Sequence, residues 1–417
     1  MAQLVRDKLN QTVQQCGSLT LGIDGATNVL SQSRSNVIAH TPLPFFIEYL
    51  GADLQKESSE NLSHKVADII DRLRTFIVAG DVEVLEEDSM MSPTSLQLSF
   101  ASDSCNSMRS LRHYLVEEMN RCVFAYGCCP HALNNLCMDI YALPQFKASL
   151  KQSLFVSKSF KSVGILRKIM ESICKEKLNK VYTLVFFSTS RWSSINYMVC
   201  RLLLLKSVLI SIPSAILHES EARGIDPSFK MPKELETIIM NKDFWTTNVI
   251  LKTVFDLICK CIGALEADQS TMSLAYAAFV AVRAHIQTCP GFTANDRAAI
   301  DAKILYRWDR IYSPTHALAF ICDPLFCKFR SDITKIFGSE FLELNKGALS
   351  QQCMKALEKF SATDKNISGQ DLKAEFLKVM AMPPVEVYGD RTNAINFQPI
   401  LLWGQVSYFQ NPDLHLI

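Results

Sequence analysis

The sequence predicts a mixed α+β protein, and three observations carry that expectation. In the first 130 residues or so, apolar and polar side chains alternate in short runs, the pattern of half-buried strands. From about residue 131 the spacing of apolar residues becomes that of helices. Of the 417 residues, 48% are hydrophobic, enough to bury a sizeable core and to fill two or three domains.

Taken in order, "GSLTLGID" (17–24) and "SNVIAHT" (35–41) alternate, and "PFFIEYL" (44–50) is aromatic and β-favouring. Residues 58–78 predict a helix, with Ser59 or Asn61 as its cap and Val66, Ile69, Ile70, Leu73 and Ile77 on one face. An acidic loop at 80–95 follows, and then "LQLSFASD" (96–103) alternates again. A helix from about Cys105 to Arg121 and a short strand in "CVFAYGC" (122–128) complete a β-β-β-α-β-α-β order. Acids end the first and fourth strands. Helices are expected from 131 to about 180, then an apolar run closed by Arg191-Trp192. Further helices are expected at 195–211, 231–241, 245–266, 269–288 and 293–312, and through most of 314–382. The leucine-rich 195–211 segment, Trp308 and Phe320 read as core.

Charge and cysteine usage narrow the function. A net charge of +1 excludes a strongly basic nucleic-acid binder, so any DNA contact must come from local patches. Fourteen scattered cysteines with no C-x-x-C pair read as reduced thiols of a nuclear or cytoplasmic protein. The N-terminus is polar and amphipathic, unlike a signal peptide. Arg201, Lys206 and Pro213 interrupt the most apolar stretch, 199–217, which reads as a buried helix rather than a membrane span.

The chemistry centres on Asp24 and Asp103. Each can be a plain structural acid: "DG" is a hairpin signal, and Asp103 directly precedes a helix that it can cap. Alternatively, two carboxylates at neighbouring strand ends can hold Mg²⁺ or Mn²⁺ for phosphoryl transfer, chemistry that normally recruits a third acid. Cys128 and His131 have the spacing of half a zinc site, with a packed strand–helix junction as the alternative. Lys147, Lys151, Lys158 and Lys161, with Arg167 and Lys168, lie in an acid-free stretch that suits either phosphate or plain solvent. Trp192 beside Arg191 suits stacking on an unpaired base, or the core.

Several motifs together resemble the hAT-superfamily transposases, in their domain-of-unknown-function branch. "IDGATN" (23–28) is similar to a "DGWTN" element, with Ala26 in place of tryptophan. "TPLPFF" (41–46) matches a "TP-PFF" segment, and "SDSCNSM" (102–108) keeps the Asp, Asn and Met of a "TDNAANM" motif. "CCPHALNNLCMDI" (128–140) supplies Cys128 and His131 of a Cys-x-x-His element. "STSRWSS" (188–194) parallels "ETRWSS", and "SPTHALAFICDPLF" (313–326) parallels "SP-HAAAYLLDPRF". Pro399 and Trp403 stand for "P..WW", with Gly404 at the second tryptophan.

The resemblance implies a ribonuclease-H-like mixed sheet with flanking helices, interrupted by a large all-α insertion. The domains would be a first core part at 1–194, the insertion at 195–312, and a continuation with an incomplete C-terminal core part at 313–417. It implies Asp24 and Asp103 as vestigial catalytic acids and weak Mg²⁺ or Mn²⁺ ligands. Arg191 and Trp192 are the implied DNA contacts, to which the acid-free run itself adds Lys147, Lys151, Lys158 and Lys161, and Cys128 and His131 are the implied structural pair. The third acid is expected in an element beyond Ile417, so the pattern implies a catalytically incomplete remnant with residual DNA binding. Implied partners are DNA or a full-length transposase relative, with no membrane and no small-molecule substrate. Two alternatives stand beside it. One is a domesticated DNA- or protein-binding regulator. The other is a Mg²⁺-dependent nuclease with a substitute acid among Glu386, Asp390 and Asp413.

Overall fold

The structure is a computed structural model. It describes Leu9 and residues 18–27, 33–41, 43–50, 58–79, 97–186, 193–219, 223–224, 226, 228–267, 270–345, 347–363 and 368–381. Alternation in the first segments builds an antiparallel meander of β1 (Ser18–Thr27), β2 (Ser33–Thr41) and β3 (Leu43–Leu50). In parallel, β4 (Gln97–Ser102) joins the other edge of β1, and β5 (Phe124–Gly127) joins β4. The result is a five-stranded mixed sheet in the order β3-β2-β1-β4-β5.

Between β3 and β4 runs α1 (Ser59–Ala79). Its start is capped one residue earlier than expected, by the Ser58 hydroxyl accepting from the Asn61 N–H at 3.2 Å. The helix after β4 is shorter than its periodicity suggests. The α-helix α2 (Asn106–His113) passes into a π turn at Tyr114–Glu118, where the Met119 N–H reaches the Tyr114 carbonyl at 2.8 Å. The N–H groups of Arg121 and Cys122 then share the Leu115 carbonyl, which closes the helix and turns the chain into β5.

From Cys129 onward the regular elements of the described chain are helices. The chain runs through α3 (Cys129–Tyr141), α4 (Pro144–Ser162), α5 (Gly164–Leu178), α6 (Ser193–Leu204), α7 (Lys206–His218) and α8 (Lys233–Met240). Next come α9 (Lys242–Leu265), α10 (Met272–Thr288), α11 (Ala294–Asp309) and α12 (Pro314–Cys322). The described chain closes with α13 (Cys327–Phe337), α14 (Leu349–Thr363) and α15 (Gly369–Ala381). The single helix expected at 195–211 is two, α6 and α7, bent by 53° at Leu205. Pro213 lies inside α7, away from the break. Among the described residues no single helix is long and apolar enough to cross a membrane.

The chain forms two units. The first comprises Met1–Ala132, Asp268–Val280 and the chain from Leu305 to the last described residue; the second comprises Leu133–Ala267 and Ala281–Ile304. These divisions differ from the boundaries at 194 and 312 suggested by the sequence. The reason is that α4 packs on α6, α8 and α9, so the helices after Ala132 belong with the later helical block.

In the first unit, one sheet face carries Leu19, Leu21, Ile23, Val37, Ala39, Leu98 and Phe100. They pack on Leu62, Val66, Ile69 and Ile70 of α1 and on Leu111 of α2, all buried. The opposite face meets α12 and α14: Phe124 packs on Phe360 at 4.8 Å between ring centres, and Tyr126 on His316 at 5.6 Å. Trp308 and Phe320 are fully buried, as expected, and Tyr276 joins them by packing edge-on to Trp308 and stacking on Phe320.

In the second unit, α4 buries Phe146, Leu150, Val156 and Phe160. A polar seam ties α4 to α9, with Ser153 donating to the Asn248 side chain at 2.9 Å and Asn248 donating to Ser149 at 3.3 Å. The 195–211 segment is core along most of its length: Met198, Leu202, Leu205 and Leu209 are buried, while Tyr197 and Leu204 are exposed.

Candidate functional site

Strand pairing brings the chain segments of the two acids side by side. The parallel β1–β4 register ends at the pair Ile23–Ser102, and the next residues along are Asp24, still within β1, and Asp103, the first residue after β4. Adjacent strands run about 4.8 Å apart. Alternation decides the face. Leu19, Leu21 and Ile23 are buried in the cluster with α1, as are Leu98 and Phe100, so Asp24 of β1 belongs to the other side of the sheet, while Asp103 follows the buried Ser102 at the end of β4. The row extends in both directions. Asn36 of β2 pairs with Asp24, and continuing the β4–β5 register from Ser102 and Gly127 sets Cys128 next to Asp103. The two acids are held differently. Asp24 is exposed within a strand. Asp103 is half-buried in the turn between β4 and α2, where its Oδ1 accepts the Cys105 N–H at 2.9 Å. Asp103 does not cap α2, whose N-cap is Cys105 with no side-chain cap bond; it holds the preceding turn instead, through one carboxylate oxygen.

That turn is held by two arginines that the sequence reading did not single out. Arg112, on α2, is 6% exposed. Its Nη1 donates to Ser102 Oγ at 2.7 Å and to the Asp103 carbonyl at 2.5 Å, and its Nη2 donates to the Arg310 carbonyl at 2.7 Å. Arg310 follows α11, and its Nε and Nη2 both donate to the Ser104 carbonyl, at 3.1 and 3.0 Å. Its Nη2 also reaches Asn106 Oδ1. Burial lowers the Arg112 pKa to about 10, while the Asp103 carboxylate acts in the opposite sense. A sequence signal for Arg112 did exist. It occupies the apolar stripe of its helix with Met108, Leu111 and Leu115, at i, i+3, i+4 and i+7 spacing. Arg310 had no comparable local signal for this role, because its partners around the turn, Ser104 and Asn106, lie about 200 positions away.

The donor set fits a hard divalent cation. Two carboxylates supply the oxygen ligands that Mg²⁺ and Mn²⁺ take, with water filling the remaining positions. Asp24 and Asp103 would hold such an ion, which polarises phosphoryl oxygens and activates water when bound. Among the described residues, no group of three His, Cys, Asp or Glu side chains gathers to hold a metal. Cys128 and His131, both half-buried at the start of α3, therefore make no metal site with a third such residue there.

The predicted DNA-contacting residues divide into two sets. Lys147, Lys151, Lys158 and Lys161 are all exposed on α4. At 100° per residue they fall within an arc of about 80° and span about 21 Å of helix. Lys161 also lies 4.5 Å from the centre of the Phe186 ring. Arg167 and Lys168 are exposed on α5. Arg191 and Trp192, and likewise Glu386, Asp390, Asp413, Pro399 and Trp403, lie outside the described residues.

No protein-family model matches the sequence, and no similar curated protein is found.

Proposed function

We propose that this chain is a transposase-derived core with a ribonuclease-H-like sheet. In this reading it binds a divalent cation through Asp24 and Asp103 and duplex DNA through the α4 lysine stripe, and it does not cut the DNA. One observation carries the reading: the two acids, far apart in the sequence, each directly follow a member of the last register pair, Ile23–Ser102, of the parallel strands β1 and β4. The hAT resemblance anticipates that adjacency of the first and fourth strands. The lysine stripe supports the DNA part, since four ammonium groups on one helix face match a polyanion and no acid interrupts residues 140–170. The non-cleaving part rests on the ligand count. Two-metal chemistry clamps both the attacking and the leaving oxygen, and among the described residues no third acid gathers with the two carboxylates to finish that clamp.

Two assays on the full chain test this. In gel shifts on duplex DNA over a salt series, the protein binds with a log–log slope. Replacing Lys147, Lys151, Lys158 and Lys161 together by Ala flattens that slope by about 0.9 for each phosphate left unneutralised. An unchanged slope removes α4 from the interface. In a nicking assay with Mg²⁺ or Mn²⁺ the protein leaves the duplex intact. Cleavage that disappears on Asp24→Ala would instead establish the nuclease reading.

A further inference from the structure

The arginines around Asp103 have an arrangement that simple charge pairing does not explain. Two guanidinium groups beside a carboxylate ordinarily grip it as bidentate partners. Here they bind the main chain instead. Arg112 takes the carbonyl of Asp103 itself and the hydroxyl of the residue before it. Arg310 takes the carbonyl of Ser104, the residue after it, through two N–H groups. The two arginines are also linked, Arg112 donating to the Arg310 carbonyl at 2.7 Å.

The segment carrying Arg310 is itself seated on the sheet. The Gly127 N–H donates to the Ile311 carbonyl at 2.9 Å. A Cβ at Gly127 would come within 2.5 Å of Ile311 Cγ2 and 2.8 Å of Ile311 Cα, so glycine is what permits the approach. Residues from β4, α2, β5 and the end of α11 thus converge on one three-residue turn. A buried guanidinium is retained only when its donors are satisfied, and a planar fork meets several fixed acceptors where an ammonium cannot.

We propose that Arg112 and Arg310 are positioning residues for the Asp103 half of the cation site, fixing its turn through carbonyl oxygens and leaving the carboxylate available to a metal. This inference rests on the two-carboxylate reading given above. It also carries a distinctive sign. Considered as charges alone, two cations near the site weaken metal binding, so neutralising one should tighten it. As a positioning device, losing one should loosen it.

The experiment uses Mn²⁺ alone as the probe, titrated into the full chain and followed by electron paramagnetic resonance of the free ion. Hydrogen exchange across residues 102–108 and the melting temperature are recorded on the same samples. Wild type binds Mn²⁺, and Asp24→Asn abolishes binding. Arg310→Gln, the main variant because Arg310 is only half-buried, weakens binding about 10–100-fold and speeds exchange in the turn, with the melting temperature little changed. Arg310→Lys restores less than half of the missing affinity, because one ammonium cannot reproduce the two-pronged grip on Ser104. Arg112→Lys acts in the same direction. If Arg310→Gln binds Mn²⁺ as tightly as wild type or more tightly, the positioning role is overturned while the two-carboxylate reading survives. If wild type itself fails to bind Mn²⁺, both fall.

Discussion

The two faces of the sheet are built from the same strands and differ in almost everything else. On the α1 side, Leu21, Val37, Ala39, Leu98 and Phe100 are fully buried and meet an apolar helix face. On the other side the same strands present Thr20, Gly22, Asp24, Ser99 and Ala101. There the packing is incomplete. A cleft of about 670 Å³ opens between Thr20, Ser99, Phe124 and Tyr126 of the sheet and Leu318, Phe360 and Phe376 of α12, α14 and α15. The difference shows a division of labour set by a period of two. One set of alternate residues holds the fold together, and the other set is free to carry polar chemistry at the strand ends.

Three measurements can break or sharpen that contrast. The largest effect belongs to the packed face. Leu21→Ala removes a fully buried side chain from a close-packed layer and should cost about 2–5 kcal/mol in urea unfolding. A loss below about 1 kcal/mol would mean that this face is no better packed than the other.

The second effect is acid sensitivity of the helical cover on the cleft side. His316, on α12, is buried among Tyr126, Trp308 and Tyr312, and its Nδ1 accepts the Ser313 N–H at 3.1 Å. Burial pushes its pKa down to about 4. The sign follows from linkage. The unfolded chain takes up a proton near pH 6.5 and the folded protein does not until about pH 4, so stability is lost as pH falls through that window, by about 3 kcal/mol. His285, which burial also lowers, adds in the same direction from the second unit. Comparing unfolding at pH 7 and pH 4.5 in wild type and His316→Gln checks this: the substitution should flatten the pH dependence, and an equally steep loss in the variant would refute the assignment to His316. Among the described residues, the α1 face buries no histidine, so it offers no matching acid trigger.

The smallest effect is expected inside the cleft. Ser99→Ala changes a half-buried side chain that borders open space and should shift stability by no more than about 0.5 kcal/mol. A loss comparable to that of Leu21→Ala would show that the cleft face is as tightly constrained as its opposite.

Much of this arrangement was legible in the sequence, and the exceptions have physical causes. The β-β-β-α-β-α-β order followed from alternation and from the apolar stripe of α1, both properties of neighbouring residues. The break at Leu205 was not visible, because a run of leucines and isoleucines satisfies either one helix or two, and packing selected the bend. The π turn at Tyr114–Glu118 likewise preserves the apolar spacing while changing the hydrogen bonding. Asp24 and Asp103 could be singled out because each closes an alternating apolar run in the sequence. Arg310 could not, since its role exists only through the Ser104 carbonyl and the Asn106 side chain of a distant segment.

By itself, then, the sequence determined which segments are strands or helices, which faces are apolar, and that two acids follow alternating apolar runs, although β1 continues past Asp24 to Thr27. These are local consequences of periodicity and side-chain chemistry. Only the tertiary structure decided that β1 and β4 run side by side in a register ending at Ile23–Ser102, the residues just before the two acids, and that arginines from α2 and the end of α11 hold the turn between β4 and α2. Register is fixed by burying one whole face of each strand at once, and the Arg112–Arg310 hydrogen bond joins residues 198 positions apart. Interactions of that range leave no periodic trace in the chain.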